Sequence, residues 1–229
     1  YPGISSEVME RKGSEQIEEH PKQTDNSVGP WFNTGRTNRY RSSKSLLHEM
    51  IDAVSKNNNY LLNIPPRGDG SIDEASQKIL KDFGEWFAVN GEAIYSTRPW
   101  HTFGEENIRF TTRGNILYAI VLNRSNPDFV IKSIKTWKKN QVEKIELLGG
   151  KAVAWELTGD GLKISSPLDV KSKACVFAIT SSQAVLSLPA AQTSSPSVKA
   201  ANREAAQKYG ADGNGNVILP NEAMDKNKK

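Results

Sequence analysis

The chain has 229 residues, 37% of them hydrophobic, with a formal net charge of +4 and a mean hydropathy of −0.56. This length accommodates one large domain or two ordinary ones, and no apolar run approaches the roughly 20 residues that a membrane-spanning helix requires. We therefore expect no membrane partner. The net charge is modest and three lysines lie among the last four residues, so the basic residues do not indicate a concentrated basic face, and we expect no nucleic-acid partner.

Residues 1–41 are predicted to form a long polar loop, because glycine and proline recur too often for a regular period. A loop of this length inside a compact domain is usually functional. Three of its runs carry groups that could do chemistry: Glu10-Arg-Lys12, Glu18-Glu19-His20 and Gln23-Thr-Asp-Asn-Ser-Val-Gly-Pro-Trp-Phe32. The chain starts at Tyr1 without an initiator methionine or a signal-peptide pattern, so we expect it to be part of a longer protein.

The pattern between residues 43 and 89 predicts helix, strand and helix. Apolar residues recur at helical spacing over 43–54, and a short apolar run over 60–64 has the length of a strand buried on both faces. Two prolines end that strand, and Ser71 with Glu74 forms a capping-box sequence for a helix over 73–89. This order is typical of the closing units of a (β/α) barrel or of a doubly wound sheet.

After Trp100 the pattern changes to short runs rich in β-branched and aromatic residues, separated by glycine-containing turns. Seven runs are predicted as strands: 108–112, 116–122, 129–134, 142–148, 152–157, 162–165 and 174–180. The pair Gly149-Gly150 lies between two of them and is typical of a two-residue hairpin turn. So many short strands favour an antiparallel β-sandwich, and the predicted fold class is α/β followed by all-β.

Neither the single cysteine nor the C-terminal segment indicates a cofactor or a metal. Cys175 lies in an apolar run, where we expect a small buried hydrophobe, and one cysteine excludes an intrachain disulfide and a cysteine-based zinc site. Residues 183–229 are predicted to be a linker and a flexible tail. Within them, 212–222 resembles a degenerate calcium loop in which Val217 stands at the required glycine. We expect a solvated segment without calcium.

Two runs carry a family resemblance: Val54-Ser-Lys-Asn-Asn-Asn-Tyr-Leu-Leu-Asn-Ile-Pro-Pro-Arg-Gly-Asp-Gly70 and Phe83-Gly-Glu-Trp-Phe-Ala-Val-Asn-Gly-Glu-Ala-Ile-Tyr-Ser-Thr-Arg-Pro-Trp100. At this separation they resemble the end of the catalytic barrel of glycoside hydrolase family 29, the α-L-fucosidases. The run Gln23-Thr-Asp-Asn-Ser-Val-Gly29 resembles a segment upstream of it in bacterial members. The resemblance implies that residues 1–100 are the terminal β/α units of a TIM-type barrel and that 101–182 form an antiparallel β-sandwich.

The resemblance implies a retaining exo-glycosidase that uses two carboxyl groups and no cofactor or metal to remove α-L-fucose from a fucose-containing glycan. It also implies a nucleophilic aspartate on a barrel strand upstream of this chain, a vacancy that neither Asp25 nor Asp52 is expected to fill. Asn63 is expected at the active-site rim, and the location implied is periplasmic or extracellular. The alternative is a non-catalytic carbohydrate-binding or structural fragment. The oligomeric state has no sequence signal.

Four residues are candidates for the site that the resemblance implies. Glu10 is the first candidate for the acid/base, since similar bacterial members carry a Glu-Arg-Gly run there, although Lys12 replaces that glycine. Glu18 and Glu19 are the alternatives, and a plain surface carboxylate is the non-functional interpretation of all three. Trp31 is expected either to stack on the apolar face and methyl group of fucose or to close the barrel rim.

Overall fold

The computed structural model describes residues 7–33, 39–167, 172–183 and 185, which contain two α-helices, eleven strands and three short 3-10 helices (Gly91–Ala93, Lys132–Ile134 and Lys139–Gln141). The elements in chain order are β1 (Val8–Glu10), β2 (Lys22–Ser27), α1 (Ser43–Ser55), β3 (Asn58–Asn63), α2 (Glu74–Asn90), β4 (Arg98–Glu105), β5 (Ile108–Arg113), β6 (Ile116–Val121), β7 (Asp128–Ile131), β8 (Val142–Leu147), β9 (Ala154–Thr158), β10 (Gly161–Ser165) and β11 (Cys175–Ser181). The calcium-like segment 212–222 and nearly all of the predicted tail lie outside the described residues.

Strands β1, β2 and β3 form a parallel sheet in chain order, and α1 makes the crossover from β2 to β3. The prediction that residues 1–41 are entirely loop is therefore wrong, because they contain β1 and β2. Both strands are short, and β2 has no apolar residue, so neither shows the hydrophobic alternation that identifies a half-buried strand. Their pairing is fixed by backbone hydrogen bonds to a neighbouring strand, which a single-sequence pattern does not display.

The two faces of this parallel sheet differ in what covers them. Side chains alternate between the faces, so residues paired in register lie on the same face. Thr24 and its partner Tyr60 face α1, since Tyr60 packs against the cluster that contains the buried residues of that helix. Glu10, Asp25 and Leu61 are register partners on the opposite face, where 43% of Leu61 is exposed. The open face is thus the one opposite to the helices.

Helix α2 begins at an N-cap that differs from the predicted one. The Asp73 carboxylate accepts a hydrogen bond from the backbone N–H of Ser76 at 2.9 Å, which makes Asp73 the N-cap. Ser71 lies in the preceding turn, where its backbone N–H donates to Asp69 at 2.9 Å. The predicted capping box of Ser71 and Glu74 is therefore wrong, because the Asp69 side chain already holds Ser71 in the turn.

Replacing Asp73 with alanine is expected to lower the free energy of unfolding by about 1 kcal/mol, because the helix loses its N-cap acceptor. Burial opposes ionisation of Asp73, but hydrogen bonds from Tyr40 (2.5 Å) and Ser76 outweigh it and hold the pKa of this carboxyl below its usual value. Its contribution to stability is therefore present at neutral pH and is lost as the pH falls through that lowered pKa. Urea unfolding at pH 7 measures the loss.

The matched control for this helix start is Ser71→Ala, which should change the free energy of unfolding by less than about 0.5 kcal/mol. Equal losses in the Asp73 and Ser71 variants would contradict the N-cap observed here. A loss of stability in Ser71→Ala but not in the Asp73 variant would instead support the capping box.

Strands β4–β11 form two antiparallel sheets, with strand orders β4-β5-β6-β11-β8 and β7-β10-β9. One hydrophobic cluster joins them, since it contains Leu117 of the larger sheet together with Ile131 and Ile164 of the smaller one, all fully buried. The rings of Phe129 and Phe177 meet across the two sheets at a centroid separation of 5.1 Å. The two antiparallel sheets therefore share one hydrophobic interior.

Two features of the antiparallel part differ from the predictions. β4 lay outside the seven predicted strands, because a proline begins its apolar run and its register with β5 shifts between Pro99 and Gly104. The turn at Gly149-Gly150 exists, but it closes only an isolated bridge between Glu146 and Ala152. Beyond the bridge β9 pairs with β10 in the smaller sheet, so the predicted hairpin of two paired strands is wrong.

A second hydrophobic cluster packs the two helices against the outer face of the larger antiparallel sheet. It contains Leu47 and Trp86 from the helices and Ile120 and Val176 from the sheet. The indole N–H of Trp86 donates to the carbonyl of Ala174 at 3.0 Å, and the neighbouring Cys175 is buried as predicted. Neither described helix is long and apolar enough to cross a membrane.

Candidate functional site

The three parallel strands end at one edge of their sheet, at Glu10, Ser27 and Asn63. Parallel α/β architectures place their ligand and catalytic groups at the carboxyl ends of the strands, in the loops that follow. Two of the predicted site residues lie here: Glu10 is the last residue of β1, and Trp31 lies in the loop after β2. This edge is therefore the candidate functional site.

A small hydrogen-bond network holds the loop that follows β2. The side-chain amide of Asn63 donates to the hydroxyl of Ser27 and to the carbonyl of Trp31, both at 3.1 Å. Ser27 in turn donates to the carbonyl of Pro30 at 3.0 Å. Asn63 thus lies at the carboxyl edge of the sheet, and it fixes the backbone that carries Trp31.

The loop that follows β1 reaches the same place through Arg11. Its guanidinium lies over the Trp31 ring, 5.0 Å from the centroid. The Arg11 backbone has a φ of 53° and its N–H donates to the carbonyl of Asp25 at 2.8 Å, so the chain turns sharply just after Glu10. Sequence reasoning did not single out Arg11, whose role depends on a contact between two loops.

Glu10 is an exposed carboxylate at the end of β1, on the open face of the parallel sheet. Among the described residues its side chain makes no hydrogen bond or ion pair. Arg11, which follows Glu10 in the chain, contacts the Trp31 ring. The structure therefore brings the first acid/base candidate and the predicted stacking residue to the same edge.

Glu18 and Glu19 lie at the opposite edge of the sheet, beside the residues that precede the strands. The backbone N–H of Glu18 donates to Lys56 just after α1, at 3.0 Å, and its carboxylate pairs with Lys22 at the start of β2, also at 3.0 Å. A hydrogen bond from Ser14, together with the Lys22 ammonium, holds the pKa of Glu18 below its usual value. This carboxylate is therefore charged and already engaged at neutral pH.

Behind the site edge, a polar network lies between β2 and α1. Glu49 accepts hydrogen bonds from Asn26 at 2.6 Å and from Arg41 at 2.9 Å, and Arg41 also donates to Asn26 at 3.1 Å. Burial, with the nearby Glu49 carboxylate, raises the pKa of Tyr60, which keeps this phenol neutral. Sequence reasoning did not find this network, since its members come from separate elements.

A groove of about 770 Å³ lies on the helix-facing side of β2, between that strand, α1 and β5. On its α1 wall, Asp52 forms ion pairs with Lys56 at 2.8 Å and with Arg109 at 2.5 Å. Asp52 thus lies on helix α1, where two cations hold its carboxylate, and it is away from the open face that carries Glu10. Asp25 accepts a hydrogen bond from Gln23 at 2.9 Å. In the described part of the chain, no group of three His, Cys, Asp or Glu side chains is arranged to hold a metal ion.

Residues 4–92 match a family model described as alpha-L-fucosidase. The tissue alpha-L-fucosidase of Bos taurus is 35% identical over 130 residues, which are 55% of this chain and 27% of that protein. The corresponding enzyme of Homo sapiens is 35% identical over 127 residues, again covering 27% of its length. The chain therefore spans about a quarter of the length of the curated relatives it matches.

The solved structures that this chain resembles in fold are also those of fucosidases. The alpha-fucosidase of Thermotoga maritima, solved in complex with fucose, superposes with a TM-score of 0.64 at 26% identity, over 73% of this chain and 41% of that one. An alpha-L-fucosidase isoenzyme of Paenibacillus thiaminolyticus superposes with a TM-score of 0.68 at 23% identity, over 77% and 45%. Together these similarities confirm the predicted resemblance to the α-L-fucosidases of glycoside hydrolase family 29.

Proposed function

We propose that this chain is the C-terminal part of a retaining α-L-fucosidase. In this proposal residues 1–100 are the terminal β/α units of a TIM-type barrel, 101–182 are a β-sandwich, and 183–229 are a linker and tail. The observation that supports the proposal is the position of Glu10 and Trp31 at the same carboxyl edge of three parallel strands, where Arg11 contacts the Trp31 ring, within the segment that matches the family model. The open face of that sheet, opposite to the helices, is the face that would line the interior of a barrel.

In the proposed reaction, an aspartate from outside this chain attacks the anomeric carbon of fucose and forms a covalent fucosyl-enzyme. Glu10 gives its proton to the departing glycosidic oxygen in the same step. It then takes a proton from water as the water oxygen attacks the anomeric carbon and releases the aspartate. Glu10 is favoured over Glu18 and Glu19 because it lies at the site edge with no side-chain partner among the described residues, whereas they lie at the opposite edge.

Trp31 supplies a half-buried flat ring at this edge, against which the C–H face and the methyl group of fucose would pack. Its backbone is fixed by Asn63 and its ring is covered on one side by the Arg11 guanidinium. A ring held by two neighbouring elements keeps its orientation before substrate arrives, so less conformational entropy is lost on binding.

Replacing Trp31 with alanine is expected to lower kcat/KM for an α-L-fucoside by about fivefold to tenfold, the equivalent of about 1–1.4 kcal/mol of ring contact. Trp31→Phe should retain most of the activity, because it keeps a flat apolar face. Initial-rate kinetics on the full-length protein measure both. Phe32→Ala is the control, since that neighbouring ring is 80% exposed and should be neutral. An unchanged kcat/KM in Trp31→Ala would mean that Trp31 does not contact fucose and only packs at the barrel rim.

The second candidate function is a non-catalytic carbohydrate-binding or structural fragment. It is favoured by the engagement of Asp25 and Asp52, each of which already has a protein partner in the described part of the chain. The substrate class under the leading proposal is a fucose-containing glycan, and the proposed location is periplasmic or extracellular. Both rest on the resemblance to the family.

A panel of aryl glycosides distinguishes the two functions. The full-length protein is expected to hydrolyse 4-nitrophenyl α-L-fucoside and to leave the corresponding β-D-galactoside and α-D-glucoside intact. The 229-residue chain alone is expected to be inactive on all three, because its nucleophile would be missing. A full-length protein that hydrolyses no fucoside would support the non-catalytic function. Hydrolysis by the 229-residue chain would contradict an external nucleophile.

A further inference from the structure

The groove behind β2 carries more positive than negative side chains. Five arginine and lysine residues line it, and they come from the loop after β1, from the segment before α1, from the position just after α1 and from β5: Arg11, Lys12, Arg41, Lys56 and Arg109. Glu49 and Asp52 are the two carboxylates on its wall. The cations therefore outnumber the carboxylates by three.

Both carboxylates of the groove are already engaged by part of this positive charge. Asp52 is shared between Lys56 and Arg109, and Glu49 accepts from Arg41 and Asn26. No carboxylate within the described ranges contacts the side chain of Arg11 or Lys12. The uncompensated positive charge is thus concentrated where the loop after β1 forms the groove wall.

A buried polar group faces the same space. Thr24 lines the groove, is only 4% exposed, and its hydroxyl has no hydrogen-bond partner among the described residues. A buried hydroxyl without a partner destabilises the fold, because it has lost its hydrogen bonds to water. An acceptor that enters the floor of the groove would satisfy it.

We propose that this groove is a binding site for an oxyanion, a sulfate or phosphate group that is either free or an ester on a larger molecule. Such a group accepts charge-assisted hydrogen bonds from several cations at once and neutralises the excess charge of the wall. The groove lies on the face of β2 that is opposite to Glu10, so the proposal does not rest on the fucosidase reaction. Arg11 is the residue common to both sites, since it lines the groove and covers Trp31.

Titration calorimetry of the full-length protein with sodium sulfate tests the site, with chloride keeping the ionic strength constant. We expect one saturable site, and we expect Lys12→Glu to weaken sulfate binding at least tenfold. Lys81→Glu is the matched control, because Lys81 is an exposed lysine of α2 that does not line the groove, and it should change the affinity less than twofold. Thr24→Val keeps the side-chain shape, removes the hydroxyl, and should weaken binding several-fold.

Inorganic phosphate and galactose 6-sulfate distinguish the source of the anion. A sulfated sugar that binds more tightly than sulfate, and that loses affinity in Lys12→Glu, identifies an ester ligand. Equal affinities identify the free anion. Absence of saturable sulfate binding would overturn the proposal, and so would equal losses in Lys12→Glu and Lys81→Glu, which would reflect only the net charge of the protein.

Discussion

Replacing Glu10 with alanine in the full-length protein is expected to slow hydrolysis of an α-L-fucoside with a poorly activated leaving group by about 10²–10⁴-fold, the usual contribution of a general acid. The first step for a 2,4-dinitrophenyl fucoside should be nearly unaffected, because that leaving group departs without protonation. Its turnover should still fall, since water is no longer deprotonated in the second step. The geometric reason is that Glu10 ends β1 on the open face, without a partner among the described residues.

Glu18→Ala and Glu19→Ala are the matched controls for Glu10. Both remove a carboxylate from the connection between β1 and β2, but at the other edge of the sheet, and both should retain kcat on either substrate. Equal losses on the activated and unactivated fucosides in Glu10→Ala would exclude Glu10 as the acid/base. A leaving-group-dependent loss in Glu18→Ala or Glu19→Ala would transfer the role to that residue.

Phe177→Ala is expected to lower the free energy of unfolding by about 3–5 kcal/mol, because it leaves a cavity at a fully enclosed position. Phe177 is 0% exposed in β11, which pairs with β6 on one side and β8 on the other. Its ring also contacts Phe129 of the smaller antiparallel sheet. The cavity therefore removes contacts both within the larger sheet and between the two sheets. Urea or thermal unfolding followed by circular dichroism measures the loss.

Phe32→Ala is the control for this core substitution, since it deletes the same side chain at a position that is 80% exposed. It should change the free energy of unfolding by less than about 0.5 kcal/mol. Similar small losses in both variants would contradict the shared core of the two antiparallel sheets. A large loss in Phe177→Ala with retained fucosidase activity at low temperature would separate stability from catalysis.

The sequence predicted the elements whose own side chains create a strong hydrophobic pattern. Helix α1 was predicted over 43–54 and is found at Ser43–Ser55, because its apolar residues repeat at helical spacing and form its buried stripe. Strands β1 and β2 were missed because β1 has only three residues and β2 has no apolar residue, so neither creates such a pattern. The start of α2 was misassigned because two capping residues, Ser71 and Asp73, compete locally, and only the hydrogen bonds to Asp69 and Ser76 decide between them.

Only the candidate site residues that the family resemblance implies could be predicted from the sequence. The resemblance selected Glu10, Trp31 and the rim position of Asn63, and the structure places all three at the carboxyl edge of one sheet. Arg11 was not found, because its contact with Trp31 joins two loops. The ion pair between Asp52 and Arg109 joins residues 57 positions apart, a separation at which no periodic pattern reports a contact.

Azide rescue of Glu10→Ala tests most directly the claim that this chain supplies the acid/base of a retaining α-L-fucosidase. With an activated aryl fucoside, the variant should accumulate the fucosyl-enzyme, which azide can attack without a general base. Two successive inversions at the anomeric carbon then give α-L-fucosyl azide, with a faster turnover than in buffer alone. Formation of β-L-fucosyl azide would instead mean a single displacement and would make Glu10 the nucleophile, and a variant that azide does not accelerate would contradict the acid/base role.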